Sequence, residues 1–299
     1  MKRIHYLVFL FSMVVLAGCA SLRSLPGEAE SAAEAEAAYA SGAYEQALEQ
    51  YSGLIQQKRG REEEIPDEYY RRAGLAADAL GRTELVLDYL EPLRHDSLAG
   101  ARVFAALARA YEAVDNLSRE ITSLETYVNH YPEGEELQSM RLRYFETLTE
   151  SQNWVRADRL WTIIEADARA NEALLNRYLS VKLALGQEQE ANRLASELLE
   201  LNPDNTDALE RMGKLHYQRA EEIHQRETRA YEQNRTQRQY AKLLEAYETM
   251  NEDLRKALRY FLRLYELDPD RETASFLRNI YTRFNDEERA RYYERRMRE

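Results

Sequence analysis

Apolar residues recur at helical spacing along nearly the whole chain, and short blocks of the pattern repeat in one order. Gly42-x-Tyr44-x-x-Ala47-x-x-x-Tyr51, Asn153-Trp154-x-x-Ala157-x-x-x-Trp161 and Leu254-x-x-Ala257-x-x-x-Phe261 each set a small residue one turn ahead of an aromatic. The small residue lets a second helix cross closely, and the aromatic fills the gap to the next pair. Pro132, Pro203 and Pro269 punctuate the pattern at separations of 71 and 66 residues. Gly42, Gly81 and Gly186 stand where a first helix must stop and turn, a position where positive φ is cheap only for glycine. The periodicity predicts an all-α chain of helix pairs in one elongated domain, with units near 28–61, 67–100, 101–134, 138–170, 172–205, 206–269 and from 270 onward. Val86 and Glu120 occupy the small position in the second and third units and break the pattern.

The sixth unit is longer than the others. Residues 214–268 contain neither Gly nor Pro, while Leu215, Ile223, Tyr231, Leu243, Leu244, Tyr247, Leu254 and Leu258 keep helical spacing. The run 232–239 between them has no apolar residue. This predicts two long helices joined near Asn234, an antiparallel hairpin reaching roughly 15–20 Å beyond its neighbours. One uninterrupted helix of about sixty residues is the alternative, and it would leave an apolar stripe exposed.

These blocks, with proline separations near twice a ~34-residue period, resemble the tetratricopeptide repeat over roughly residues 28–299. The resemblance implies a right-handed superhelical solenoid of about seven helix pairs. Repeats one to five occupy 28–205, the extended hairpin and a repeat-like segment 206–269, and capping helices 270–299. It also implies a concave groove, lined by the first helix of each pair, that holds protein partners without catalysis. Carried onto this frame, the groove positions include Tyr39, Arg71, Arg102, Arg109, Asn176, Lys214 and Tyr217. The Lys/Asn clamp of the family's chaperone-tail binders is missing, and Arg71, Arg102 and Arg109 suggest a patch for an acidic partner segment. The long penultimate pair, followed by Ala257-Leu258-x-Tyr260-Phe261 and Leu267-Asp268-Pro269, resembles envelope tetratricopeptide proteins of the Bacteroidetes type.

The N-terminus changes the setting. Lys2-Arg3, an apolar run over 4–16 and a small-residue end make an export signal. Leu16-Ala17-Gly18-Cys19 resembles the lipobox of bacterial lipoproteins, which implies removal of residues 1–18, lipidation of Cys19, and a tether over 19–31. An uncleaved anchor is the alternative. Two or more acyl chains on Cys19 hold a protein stably at a membrane. The residues after the cysteine lack the Asp of inner-membrane retention, which points to the periplasmic face of an outer membrane, where the organism has one.

With 299 residues and a formal charge of −12, the chain is repelled overall by nucleic acid. Cys19 is the only cysteine, and the sequence has no phosphate-cradling glycine loop, nucleophile elbow or HExxH motif. His216 and His224 are expected to be exposed helical polar residues rather than metal ligands, and the 21 tyrosines to be mainly packing residues. The expectation is a non-enzymatic scaffold without cofactor or metal, which binds envelope proteins through its groove or hairpin. A glycan- or nutrient-capture lipoprotein is the alternative, and it requires exposed aromatics such as Tyr39, Tyr217 and Tyr231.

Overall fold

The computed structural model describes residues 27–298; the signal segment and Cys19 lie outside the described residues. Among the described residues there are fourteen α-helices in seven consecutive pairs and no strand. The pairs are α1 (Glu28–Ala40) with α2 (Tyr44–Gly60), α3 (Asp67–Ala79) with α4 (Thr83–Leu90), α5 (Ala101–Ala113) with α6 (Leu117–His130), and α7 (Leu137–Glu150) with α8 (Trp154–Ala168). They continue as α9 (Glu172–Ala184) with α10 (Glu188–Leu201), α11 (Thr206–Gln233) with α12 (Gln237–Leu267), and α13 (Arg271–Arg283) with α14 (Glu287–Arg296). Pro132, Pro203 and Pro269 each follow shortly after the end of a second helix, where a missing N–H costs nothing.

By its contacts the chain divides into two compact units, with the boundary between Leu93 and Arg94. Pro92 supplies a local reason, because it cannot donate the next helical hydrogen bond: α4 stops at 8 residues, where α2 has 17 and α6 has 14. A short 3-10 segment, Glu91–His95, replaces its last turns.

Within six of the seven pairs, all but the long hairpin, the chain reverses through one left-handed residue. Gly42, Gly81 and Gly186 have φ of 80°, 67° and 68°, and Asp115, Gln152 and Asn285 take the same role with φ of 54°, 58° and 62°. Asn and Asp tolerate this conformation better than most side chains, so these turns carry no glycine signal. Gln152 has no such excuse and is the most strained of the set.

The small positions are closed. Ala47, Ala157, Ala191 and Ala257 are each 0% exposed, and Tyr51, Trp161 and Phe261 are buried beside them. Glu120 stands at the same position in α6 and is equally buried. It survives there because the next repeat satisfies it: Arg143 Nε and Nη2 donate to its two oxygens at 2.6 and 3.2 Å, and Thr147 Oγ1 donates at 2.9 Å. A buried carboxylate without these donors would be strongly unfavourable. Burial opposes the charge on Arg143, but the hydrogen bond to Glu120 and the nearby Glu112 and Glu150 hold its pKa above the usual guanidinium value.

The long helices form a hairpin, closed by residues 234–236. Thr236 Oγ1 caps α12 by accepting from the Gln239 amide at 3.2 Å. With 28 and 31 residues against 13 and 14 in α9 and α10, the hairpin exceeds its predecessors by about 15 residues, or roughly 22 Å. Leu243, Met250, Leu254, Ala257, Phe261 and Leu264 make a buried stripe on α12 with alternating three- and four-residue steps and one full-heptad interval. That is the seam of an antiparallel coiled coil. His216 belongs to this seam, which corrects its expected exposure: it is 8% exposed, its Nδ1 lies 2.7 Å from Asp253 Oδ1, and its ring stacks on Tyr260.

Gly213 sits where α11 crosses α12, and a Cβ there would lie 2.8–3.0 Å from the Phe261 ring. Helix propensity alone makes Gly→Ala favourable by about 1 kcal/mol. The fully buried Phe261 has no room to retreat, so we expect Gly213→Ala to destabilise the protein by roughly 1–3 kcal/mol in urea unfolding. A gain in stability would show that the crossing is looser than described.

Candidate interaction groove

The first helices of successive pairs are tied edge to edge by polar contacts. In the first compact unit, Arg72 Nη2 of α3 reaches Glu36 of α1 at 2.6 Å. In the second, Arg109 Nη1 of α5 pairs with Glu136 at the start of α7 at 2.6 Å, and Arg177 Nη2 of α9 pairs with Glu150 of α7 at 3.1 Å. Asn176 of α9 donates to Asp207 of α11. Lys214 and Glu221 of α11 bind Glu272 and Arg283 of α13 at 2.7 and 2.9 Å. Each exposed pair contributes little to stability. Together they determine which charges remain for a partner.

The three arginines expected to form a basic patch, Arg71, Arg102 and Arg109, each have a carboxylate beside them. Arg71 donates through Nε to Glu68, one turn earlier on its own helix, at 2.6 Å. Arg102 lies 3.7 Å from Glu135, and Arg109 is held by Glu136. A carboxylate lies within 4 Å of every one, which lowers the positive potential they offer a partner. The residues Asn176, Lys214 and Tyr217, by contrast, do come together.

They belong to a groove on the first helices α9, α11 and α13. Between α9 and α11 is a cavity of about 310 Å³, lined by Leu179, Ser180, Leu183, Asp207, Glu210, Lys214 and Arg211, the last paired with Glu188. A second, of about 260 Å³, continues past Lys214 to Asp270, Glu272, Thr273 and Phe276. Asp207, Glu210, Asp268, Asp270 and Glu272 line this second cavity with one cation, Lys214, whose ammonium pairs with Glu210 and Glu272. Burial works against that charge, but hydrogen bonds to Glu210 and Glu272 outweigh it and hold the Lys214 pKa above its usual value. Apolar surface lies beside the acids: Leu183 is 38% exposed, and Phe276 packs edge-on against Tyr217 with ring centroids 5.0 Å apart. Asn176 Oδ1 is buried without a hydrogen-bond partner.

The acidic character of this groove was missed because the repeat pattern marks groove positions only on the first helices. Asp268 and Asp270 come from the turn between α12 and α13, which no groove pattern includes. Tyr39, Tyr217 and Tyr231 are each half-buried and individually engaged, Tyr39 with Tyr44 and Arg72, and Tyr231 with Tyr240. They form no exposed aromatic platform of the kind a glycan needs. Among the described residues, no group of three or more His, Cys, Asp or Glu is placed to hold a metal ion, and no helix is long and apolar enough to cross a membrane.

No protein-family model matches the sequence, and no curated protein is similar to it. Solved structures are similar in backbone. A protein from Bacteroides ovatus, assigned to protein binding by name only, is 18% identical and superposes with a TM-score of 0.50 over 67% of this chain and 96% of its own. The chain has the fold of a tetratricopeptide-repeat solenoid. The C-terminal part of a TPR repeat-containing protein from Cytophaga hutchinsonii is 14% identical, with a TM-score of 0.48 over 89% of this chain and 93% of that one. MamA MSR-1 is 19% identical, with a TM-score of 0.41 over 64% of this chain and 97% of its own.

Asp270 links the groove to the stability of α13. Its Oδ1 caps the helix, accepting from the amides of Glu272 and Thr273 at 2.7 and 2.9 Å. Burial raises its pKa, but the hydrogen bonds from Thr273 and Glu272 and the nearby Lys214 outweigh this and leave it below the usual value. A depressed carboxylate contributes stability above its unfolded pKa of ~3.9 and loses it as pH falls through the folded value. Asp270→Ala should therefore cost about 1 kcal/mol at neutral pH and less at about pH 3, below the unfolded carboxyl's pKa. Urea unfolding at both pH values checks this; an equal loss at both would mean that the charged cap is not the source.

Proposed function

We propose that this chain is a lipid-anchored, periplasm-facing interaction scaffold for an envelope assembly or secretion process. Its groove on α9, α11 and α13 takes a basic, partly apolar segment of a partner protein. The observation that carries the reading is the set of five carboxylates that line one cavity with Lys214, next to Leu183 and Phe276. Such a surface attracts Lys or Arg side chains electrostatically and offers apolar contact for the residues between them. An acidic partner segment is disfavoured, because the arginines that might receive it are already paired. The lipobox-like Leu16-Ala17-Gly18-Cys19 supports the anchored setting. The solenoid fold supports binding over catalysis, since its repeated surface offers an extended face rather than a closed reaction pocket.

The test is site-specific photocrosslinking in intact cells with a probe at Ser180, exposed at the groove edge. A defined envelope protein should be captured, and capture should fall on the order of tenfold when Asp207, Glu210 and Glu272 are all replaced by their amides. Capture that is indifferent to those changes contradicts the groove assignment. Separately, Cys19→Ser should leave the repeats folded and release the protein from the membrane fraction; retention there contradicts the lipid anchor.

A further inference from the structure

Between Arg226 and Lys242, around the hairpin turn, five cations stand against two carboxylates, a local net charge of +3 in a chain whose total is −12. Arg226 is neutralised by Glu227 at 2.8 Å. Arg229, Arg235, Arg238 and Lys242 are exposed and have no ion-pair or hydrogen-bond partner among the described residues. By contrast, Arg71, Arg72, Arg109 and Arg177 each reach a carboxylate of their own or a neighbouring helix. The tip also carries the exposed apolar residues Tyr240 and Leu244, each 48% exposed and one turn apart on α12.

We propose that the hairpin tip docks on the surface of an anionic phospholipid bilayer, with Arg229, Arg235, Arg238 and Lys242 meeting the headgroups and Tyr240 entering the interface. Three observations favour a bilayer over a protein. The four cations straddle the turn, and Lys242 lies only six residues beyond Thr236, about 9 Å along the helix, so all four come within about one Debye length of a plane touching the tip. A plane of negative charge needs no complementary geometry, whereas a specific protein interface covers about 800 Å² on each partner, more than the end of two helices presents. Tyr suits the boundary between headgroups and acyl chains, where its ring is buried and its hydroxyl stays wet. Each cation that reaches an anionic surface strengthens the partition about fivefold.

The inference rests on the proposed function for its setting at a membrane, and gives the hairpin a lipid partner in place of a protein one. It is tested with the full chain carrying Cys19→Ser and a single new cysteine at Gln233→Cys, labelled with an environment-sensitive fluorophore. The label should shift to the blue with phosphatidylcholine vesicles containing phosphatidylglycerol and stay unshifted with phosphatidylcholine alone. High salt should suppress the shift, and changing the four cations to Gln should weaken the partition roughly 600-fold. Equal shifts on both vesicle types, no shift on either, or an undiminished response in the four-Gln variant overturns the proposal. A shift produced by polyglutamate and not by vesicles overturns it in favour of an acidic protein. Membrane attachment through the N-terminus leaves the Gln233 label dark, so failure of the anchor and failure of the tip give different signals.

Discussion

How closely two helices can cross limits every pair in this chain. At the crossing, Ala47, Ala157, Ala191 and Ala257 leave no side chain between the backbones, and an aromatic or leucine one turn later closes the gap. Gly213 against Phe261 and Gly74 against Leu90 are the same contact seen from the first helix. A pair alone would still expose one face, so the next pair covers it and the core extends unit by unit. The extended hairpin departs from this rule. Beyond α13 its two helices can bury only against each other, and a heptad seam replaces inter-repeat packing.

Charge follows from that architecture. Stacking sets the first helices side by side, and long side chains on one helix then find carboxylates on the next. The pairing uses up Arg72, Arg109, Arg143 and Arg177. What remains for partners is whatever stacking leaves unneutralised: excess carboxylate around Lys214, and excess cation at the hairpin tip, where no neighbouring helix supplies a counter-charge. The two surfaces are opposite in sign and suit different partners.

Much of the fold was legible in the sequence because it depends on spacing. The Ala-to-aromatic step and the glycine-poor stretch over 214–268 identified helix pairs and a hairpin before any coordinates. Turns at Asp115, Gln152 and Asn285 were harder, since residues other than glycine occupy the left-handed conformation. The division after Leu93 had one local sign, Pro92, and none in the repeat pattern. The site was less legible still. Whether an arginine is free depends on which carboxylate the neighbouring repeat brings within 4 Å, and no single helix encodes that. For the same reason His216 looked like a surface residue until α12 placed Asp253 beside it.

Glu120 gives the most direct test of the crossing constraint, because it puts a carboxylate where most of the other pairs put alanine and the second puts Val86. Arg143→Met should cost roughly 3–5 kcal/mol by stranding that buried charge. Adding Glu120→Ala to it should restore stability to within about 1 kcal/mol of the wild type, since the position then holds the residue the crossing favours. A double variant as unstable as Arg143→Met alone would contradict the account and make the ion pair, rather than close helix approach, the feature that holds the third and fourth pairs together.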